Sequence, residues 1–226
     1  MENVSKHTLS RLQFLRMVIA AGGASLMMGC EDDGDGGGGE VVYLTFDDGP
    51  GRDTPEVLDA LQGARATFFM LGKHVERYPD IARRVKADGH AVGNHSYSHA
   101  DFDRLSLDQI AREIDDAGEA IRVVLGRPPT LFRPPYLSGD AQADQVAIEK
   151  GYRVVRGFNT HDYDSDNAEA LAGYVIKNLA PGQIFMFHDS DPGGNASRRV
   201  TVDALRILLP EVRARGYRPA VLSKTK

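Results

Sequence analysis

Residues 41–50 read VVYLTFDDGP, and the fold turns on how that stretch is read. Val41, Val42, Tyr43, Leu44, Thr45 and Phe46 all favour strand conformation. A continuous apolar run of this length suits a strand covered on both faces, as in a parallel sheet. Asp47 and Asp48 come where that strand should end. Neighbouring side chains on a strand point in opposite directions, so two adjacent carboxylates can serve two purposes, one facing a metal ion and the other a substrate. Asp-Asp-Gly-Pro taken alone equally describes a capped turn. The remainder of the chain separates the two readings.

The chain has 226 residues, an ordinary length for one domain or a single barrel, and 42% hydrophobic residues supply a sizeable core. A net charge of -5 and the lack of any basic run in the body argue against nucleic acid as a partner. Residues 1–29 read as an export signal. Lys6, Arg11 and Arg16 precede the apolar stretch Met17–Met28, whose 12 residues are too few to span a bilayer, which takes about 20. Leu26–Cys30 resembles a bacterial lipoprotein processing site with Cys30 as the lipidated residue, although Met27 and Met28 stand where such sites favour small residues. Ser10–Arg16 resembles a twin-arginine signal with Leu12 in place of the second Arg. Cys30 is the only cysteine, so neither an internal disulfide nor a cysteine metal site is available. Residues 30–40, rich in Gly and Asp, form a flexible tether, and residues 41–226 form the folded domain. The expected product is an exported, monomeric envelope protein whose contact with a membrane is a lipid on Cys30.

Beyond the tether, strands and helices alternate. Strands are expected at Val41–Phe46, Ala66–Met70, Ala91–Gly93, Leu131–Phe132, Tyr152–Phe158, Ile184–Phe187 and weakly at Arg218–Leu222, where Pro219 indicates an edge. Helices are expected at Glu56–Gln62 after a Thr54 cap, Asp80–Asp88, Ser106–Leu125 with a Ser106/Gln109 capping box, Ala141–Lys150, Ala168–Leu179 and Thr201–Arg215, the last bent at Pro210. This alternation implies an α/β fold, a distorted (β/α) barrel of about seven parallel strands with helical crossovers. No internal repeat is visible.

Asp47, Asp48, His95, His99, Arg133, Asp162 and His188 all directly follow expected strands. In a parallel barrel those positions share the carboxyl-terminal rim, where active sites are built. His95 and His99 are four apart, and on a helical turn that spacing presents both imidazoles to one metal ion. Asp48 is the candidate third ligand, and two His with one carboxylate leave open positions of the kind a catalytic metal needs. Asp47 then becomes the candidate general base and His188 the general acid, a layout for metal-assisted hydrolysis of an acyl group.

With these residues in place the chain resembles the polysaccharide deacetylase family, built on the NodB-type homology domain, over about Val41–Leu222. Thr45-Phe46-Asp47-Asp48-Gly49, His95-Ser96-Tyr97-Ser98-His99, Arg133-Pro134-Pro135-Tyr136 and Ile184-Phe185-Met186-Phe187-His188 match its motifs in order. The resemblance implies one divalent cation on Asp48, His95 and His99, most often zinc, with cobalt, nickel or manganese as alternatives. It implies Arg133 orienting the Asp47 base and the Tyr136 backbone N–H donating to an oxyanion. Ile184 and Met186 are implied in an acetyl pocket. The family's Asp-x-x-Asp-Trp segment departs here to Asn159-Thr160-His161-Asp162-Tyr163. Asp162 can still tune His188, Tyr163 alters the groove wall, and Leu137 stands where Gly is frequent.

The implied activity is removal of acetyl groups from N-acetylated sugars of peptidoglycan, chitin-like oligomers or an exopolysaccharide. An O-acetyl esterase on xylan-like chains and a non-catalytic carbohydrate-binding module are the alternatives. A calcium loop at Asp162–Asn167 is disfavoured because Gly173 stands where the twelfth-position Glu belongs. His74 and His90 read as surface or structural groups, with His161 left open beside Asp162. Arg198-Arg199 reads as a solvated pair able to touch a saccharide or an anionic polymer.

Overall fold

The computed structural model describes residues 39–223. The signal-type segment and Cys30 lie outside the described residues. β1 (Glu40–Asp47) is the strand of residues 41–50, and the sheet is assembled around it. It pairs in parallel with β2 (Thr67–Met70) on one side and with β7 (Ile184–His188) on the other. β8 (Tyr217–Pro219) pairs in parallel with the first residues of β1, Glu40–Val42. β3 (Ala91–Asn94), β4 (Leu131–Phe132) and β5 (Arg153–Val154) extend the sheet past β2, and β6 (Phe158–Asn159) extends it past β7. The order is β5-β4-β3-β2-β1-β7-β6, every pairing parallel. The seven strands of that path, with β8 added beside β1, curl into a half-barrel, the distorted barrel of parallel strands that the alternation predicts.

The barrel's seam differs from expectation. Tyr152–Phe158 is not one strand but two short ones on opposite edges of the sheet, β5 beside β4 and β6 beside β7. Residues 155–157 step across the gap between those edges. Gly157 permits the step, because a Cβ there would lie 2.8 Å from Met186 and 3.0 Å from Ile184. The last strand also ends earlier than expected, at Pro219, after which Ala220 N–H still donates to the Val42 carbonyl at 3.0 Å and Leu222 N–H turns to Thr67 Oγ1 at 3.0 Å.

Helices α1 (Thr54–Ala60), α2 (Gly72–Arg77), α3 (Pro79–Ala87), α4 (Leu107–Leu125), α5 (Ala141–Glu149), α6 (Ala168–Lys177) and α7 (Arg199–Ala214) lie between the strands. α2 has no counterpart in the sequence reading; its six residues carry too short a pattern to register. α4 starts with the anticipated Ser106/Gln109 capping box and stops at Gly126, whose φ of 79° belongs to the left-handed region. Among the described residues no helix is long and apolar enough to cross a membrane.

Strand parity sorts the side chains. Val42, Leu44 and Phe46 of β1, Phe68 and Met70 of β2, and Phe185 and Phe187 of β7 join the large cluster with α1, α3, α6 and α7. The alternate residues face inward, where Phe69, Leu131, Val155 and Leu222 form a small core with Tyr43 and Ile184 against it. Asp47 is on that inward series. Phe46 anchors the outer cluster, its ring 5.0 Å from Phe68 and 5.7 Å from Phe187 between centroids. Phe46→Ala should therefore cost about 3–5 kcal/mol of unfolding free energy in urea with an unchanged slope. A loss under about 1 kcal/mol would mean that the three rings do not act as one packed unit.

Candidate active site

Asp48, His95 and His99 each offer one ligand atom, and the three atoms lie within 4.8 Å of one another. Asp48 and His95 are buried, and His99 is partly so. Nε2 of His99 stands 3.1 Å and Nε2 of His95 3.5 Å from Asp48 Oδ1. Neither approach has hydrogen-bond geometry, and Oδ1 is buried without a donor. Burial pushes the Asp48 carboxyl up, and the two imidazoles more than offset it, holding the group well below the usual carboxylate range. Three converging ligand atoms around an orphaned carboxylate oxygen fit a divalent cation.

The two histidines meet by a route other than the one spacing suggests. Residues 95–99 are not helical. Ser96 (φ 70°) and His99 (φ 67°) take left-handed conformations, and these bends turn the imidazoles together. Asn94 Oδ1 accepts from Ser96 N–H at 2.8 Å, and Ser96 Oγ accepts from His99 N–H at 3.1 Å. Glu113 of α4 holds the far side, accepting from Tyr97 N–H at 3.0 Å, Ser98 N–H at 2.8 Å and Ser98 Oγ at 2.7 Å. His95 Nδ1 bonds the Arg133 carbonyl at 2.7 Å, which leaves Nε2 as its ligand atom. His74 is buried rather than superficial, and its Nδ1 bonds the Asp48 carbonyl at 2.7 Å. Burial lowers its pKa, so the neutral ring donates there. His74 thus takes the structural one of its two expected roles, whereas Glu113, acting from a different segment, was not legible as a support.

Asp47 and His188 are register partners on β1 and β7. Arg133, fully buried, donates from Nη1 to Asp47 Oδ1 at 2.7 Å and to Thr45 Oγ1 at 2.8 Å, while its Nε reaches the Val155 carbonyl at 3.3 Å. Its Cζ sits 4.2 Å from the centroid of the Phe69 ring. On the other side, Asp162 Oδ1 bonds His188 Nδ1 at 2.7 Å, and Asp162 Oδ2 accepts from His188 N–H at 2.8 Å and Thr201 Oγ1 at 2.7 Å. Those bonds occupy Asp162, and Asn167 caps α6 through Ala170 N–H, so this segment does not gather as a calcium loop. Burial pushes the His188 imidazole down, but Asp162 and the carboxylates of Asp47 and Asp48 raise it to about 9.

A cleft of about 420 Å³ opens over these groups, lined by Asp47, Asp48, His95, His99 and His188 and walled by Pro134, Tyr136, Leu137, Asn159, Tyr163 and Met186. The Tyr136 ring stands edge-on to His99 at 4.5 Å, and Tyr163 edge-on to His188 at 5.3 Å. Ile184 is a correction. It packs against the inner core and does not line the cleft, because it lies four residues before His188, about 13 Å back along the strand. His161 also stays outside the lining, turned toward Tyr163 and Tyr174. Two residues that the sequence reading missed or misplaced stand close by. Asp189 is fully buried, accepts from Thr54 Oγ1 and donates its N–H to the Asp47 carbonyl at 3.2 Å. Burial and then the charges of Asp48 and Asp47 raise its carboxyl to about 7 against the Thr54 hydroxyl. Arg198 lines the cleft instead of standing in solvent.

The family profile described as polysaccharide deacetylase matches residues 34–155. A peptidoglycan-N-acetylglucosamine deacetylase of Bacillus cereus is 35% identical over an alignment of 183 residues that covers 78% of this chain and 65% of that protein. The chain thus spans just under two thirds of that relative's length. A chitooligosaccharide deacetylase of Azorhizobium caulinodans is 33% identical over an alignment of 188 residues that covers 78% of this chain and 90% of that one. Among solved structures, a peptidoglycan N-acetylglucosamine deacetylase superposes with a TM-score of 0.77 at 31% identity, covering 81% of this chain and 89% of that chain.

Glu113→Ala should weaken zinc binding about 10- to 100-fold, read by chelator competition; an unchanged Kd would show that α4 does not hold the 95–99 loop in place. In the metal-free protein, His188 should titrate near 9 by NMR. Its folded pKa lies above the ordinary 6.5, so the Asp162 interaction stabilises the fold fully below 6.5 and is lost as pH rises through about 9. Asp162→Asn should move the His188 titration downward. A titration that stays in place would assign the raised pKa to some other group.

Proposed function

The chain belongs to the polysaccharide deacetylase family, and on that premise we propose that it hydrolyses acetyl groups from N-acetylated sugars of an envelope or extracellular polysaccharide with a divalent cation, zinc first, on Asp48, His95 and His99. It is a hydrolase of carbon–nitrogen bonds other than peptide bonds. The observation that carries the proposed mechanism is the buried Asp48 Oδ1, without a donor and facing two imidazole nitrogens. A cation held there supplies a Lewis acid for the acyl oxygen and the attacking water.

The other residues divide the proton transfers. Arg133 holds Asp47 Oδ1, so the second oxygen of that carboxylate is left to take the proton of the water. Tyr136 N–H makes no hydrogen bond to another described residue, and it is the donor assigned to the oxyanion. Asp162 occupies His188 Nδ1, so the proton passed to the departing amine comes from Nε2. Amide cleavage needs that proton more than ester cleavage does, and the Asp162 carboxylate on Nδ1 favours the protonated imidazole that supplies it. Acetate and a free amino sugar are the products. We also infer export with Cys30 lipidated, the Gly/Asp tether then standing the domain off a membrane.

An acetate-release assay on N-acetylglucosamine oligomers and peptidoglycan tests this reading. Chelation should abolish release, and zinc or cobalt should restore it. Asp47→Asn and His188→Ala should each lower kcat about 10²- to 10⁴-fold while the protein still binds one metal ion. Undiminished turnover by the Asp47 variant would remove the proposed base.

A further inference from the structure

Arg198 and Arg199 are adjacent in sequence and separate in the fold. Arg199 is exposed and pairs with Asp203 at 3.0 Å and Glu56 at 3.8 Å. Arg198, immediately before α7, is only 7% exposed and lines the cleft together with Asp47, Asp48 and His188. Its Nε donates to the Ser190 carbonyl at 2.6 Å, and its backbone N–H donates to the Asp53 carboxylate. Among the described residues, neither Nη atom has a hydrogen bond or an ion pair. The nearby carboxylates make other bonds: Asp191 accepts from Gly193, Asn195 and Ala196 N–H, Asp53 from the Arg198 backbone N–H, and Asp189 from Thr54 through one oxygen, none of them in an ion pair with the guanidinium.

A guanidinium keeps its charge at any ordinary pH, and the Nη end of Arg198 opens into the cleft while the rest of the residue is buried, so it meets the cleft's contents without an ion-pair partner of its own. With Nε tied to Ser190, the plane of the group is fixed and its Nη1/Nη2 end is left over. That end is the two-pronged donor that matches a carboxylate. Tyr136 and Tyr163 supply ring surface and Leu137 aliphatic surface in the same cleft, suited to the faces of sugar rings. The cleft thus pairs a hydrolytic centre with a separate anion receptor.

We propose that Arg198 receives a carboxylate carried by the glycan close to the acetamido group under attack, which makes the preferred substrate an acidic N-acetylated glycan rather than a neutral one. The proposal rests on the deacetylase reading of the cleft. Its test uses two tetrasaccharides, one alternating N-acetylglucosamine with glucuronate and one identical except that each carboxylate is reduced to a hydroxymethyl group. The zinc-loaded enzyme should show a kcat/KM about 10-fold or more higher for the acidic compound, mainly through KM. Arg198→Gln should collapse that ratio toward one, and Arg198→Lys should recover part of it. Equal losses on both compounds would mean that Arg198 only ties down the loop through Ser190, and equal wild-type KM values would likewise overturn the proposal. If neither compound releases acetate, the deacetylase reading fails on its own. Calorimetric binding of the pair still decides the role of Arg198, equal affinities for acidic and neutral forms refuting it.

Discussion

The barrel encloses a fully buried arginine, and the geometry of the site follows from how its charge is met. Removing a guanidinium from water costs several kcal/mol unless an anion and hydrogen-bond acceptors replace the solvent. Arg133 finds Asp47, the Thr45 hydroxyl, the Val155 carbonyl and the face of Phe69. These partners come from β1, β2 and the seam segment after β5, so the pair also cross-links the inside of the barrel. Asp47 can rotate little while it bears that partner. The carboxylate assigned as base is thus held by the same contact that makes the buried charge tolerable, and its orientation needs no contribution from substrate.

Strain collects on the same rim. Asp48, Ser96, His99, Tyr136, Leu137 and His161 all have positive φ although none is glycine. Such conformations cost on the order of 1–3 kcal/mol each and persist where surroundings over-determine them. The surroundings here are specific. His74 holds the Asp48 carbonyl, Glu113 and Asn94 hold the loop between the two metal-facing histidines, and Ser138 folds back on Pro135. A layer of polar groups therefore stands behind the metal-facing residues, drawn from helices and loops that touch no substrate. The two proton-transfer groups are poised by opposite means. Asp47 is met by a buried cation, and His188 is met by a buried anion that raises its pKa.

Much of this was legible because the relevant signals are local. Apolar runs that end in Asp-Asp, in His or in Arg-Pro-Pro place reactive groups at strand ends, and parallel topology puts all strand ends of one kind on one rim. Asp47, Asp48, His95, His99, Arg133, Asp162 and His188 were reached in that way, and Tyr136, Tyr163 and Met186 through the family resemblance; the structure brings them to one cleft or its immediate supports. The His95/His99 pair was found by a helical spacing that the loop does not have; the bends at Ser96 and His99 do the work, and spacing cannot reveal a backbone bend. Ile184 was misplaced because a motif counts residues whereas a strand advances about 3.3 Å with each one.

By itself, the sequence determined the strand-helix alternation and the parallel sheet, because these depend on local apolar runs, helix caps and chain connectivity; which strand residues face inward was decided by the sheet's register. Only the tertiary structure decided where the barrel fails to close, since the split of residues 152–158 between two edges depends on how far seven twisted strands can curl. It alone decided that Glu113 and His74 support the metal-facing loop, and that Arg198 turns into the cleft while Arg199 turns out. Those outcomes rest on contacts between segments tens of residues apart. No local propensity encodes such contacts; they exist once packing has brought the segments within hydrogen-bond reach.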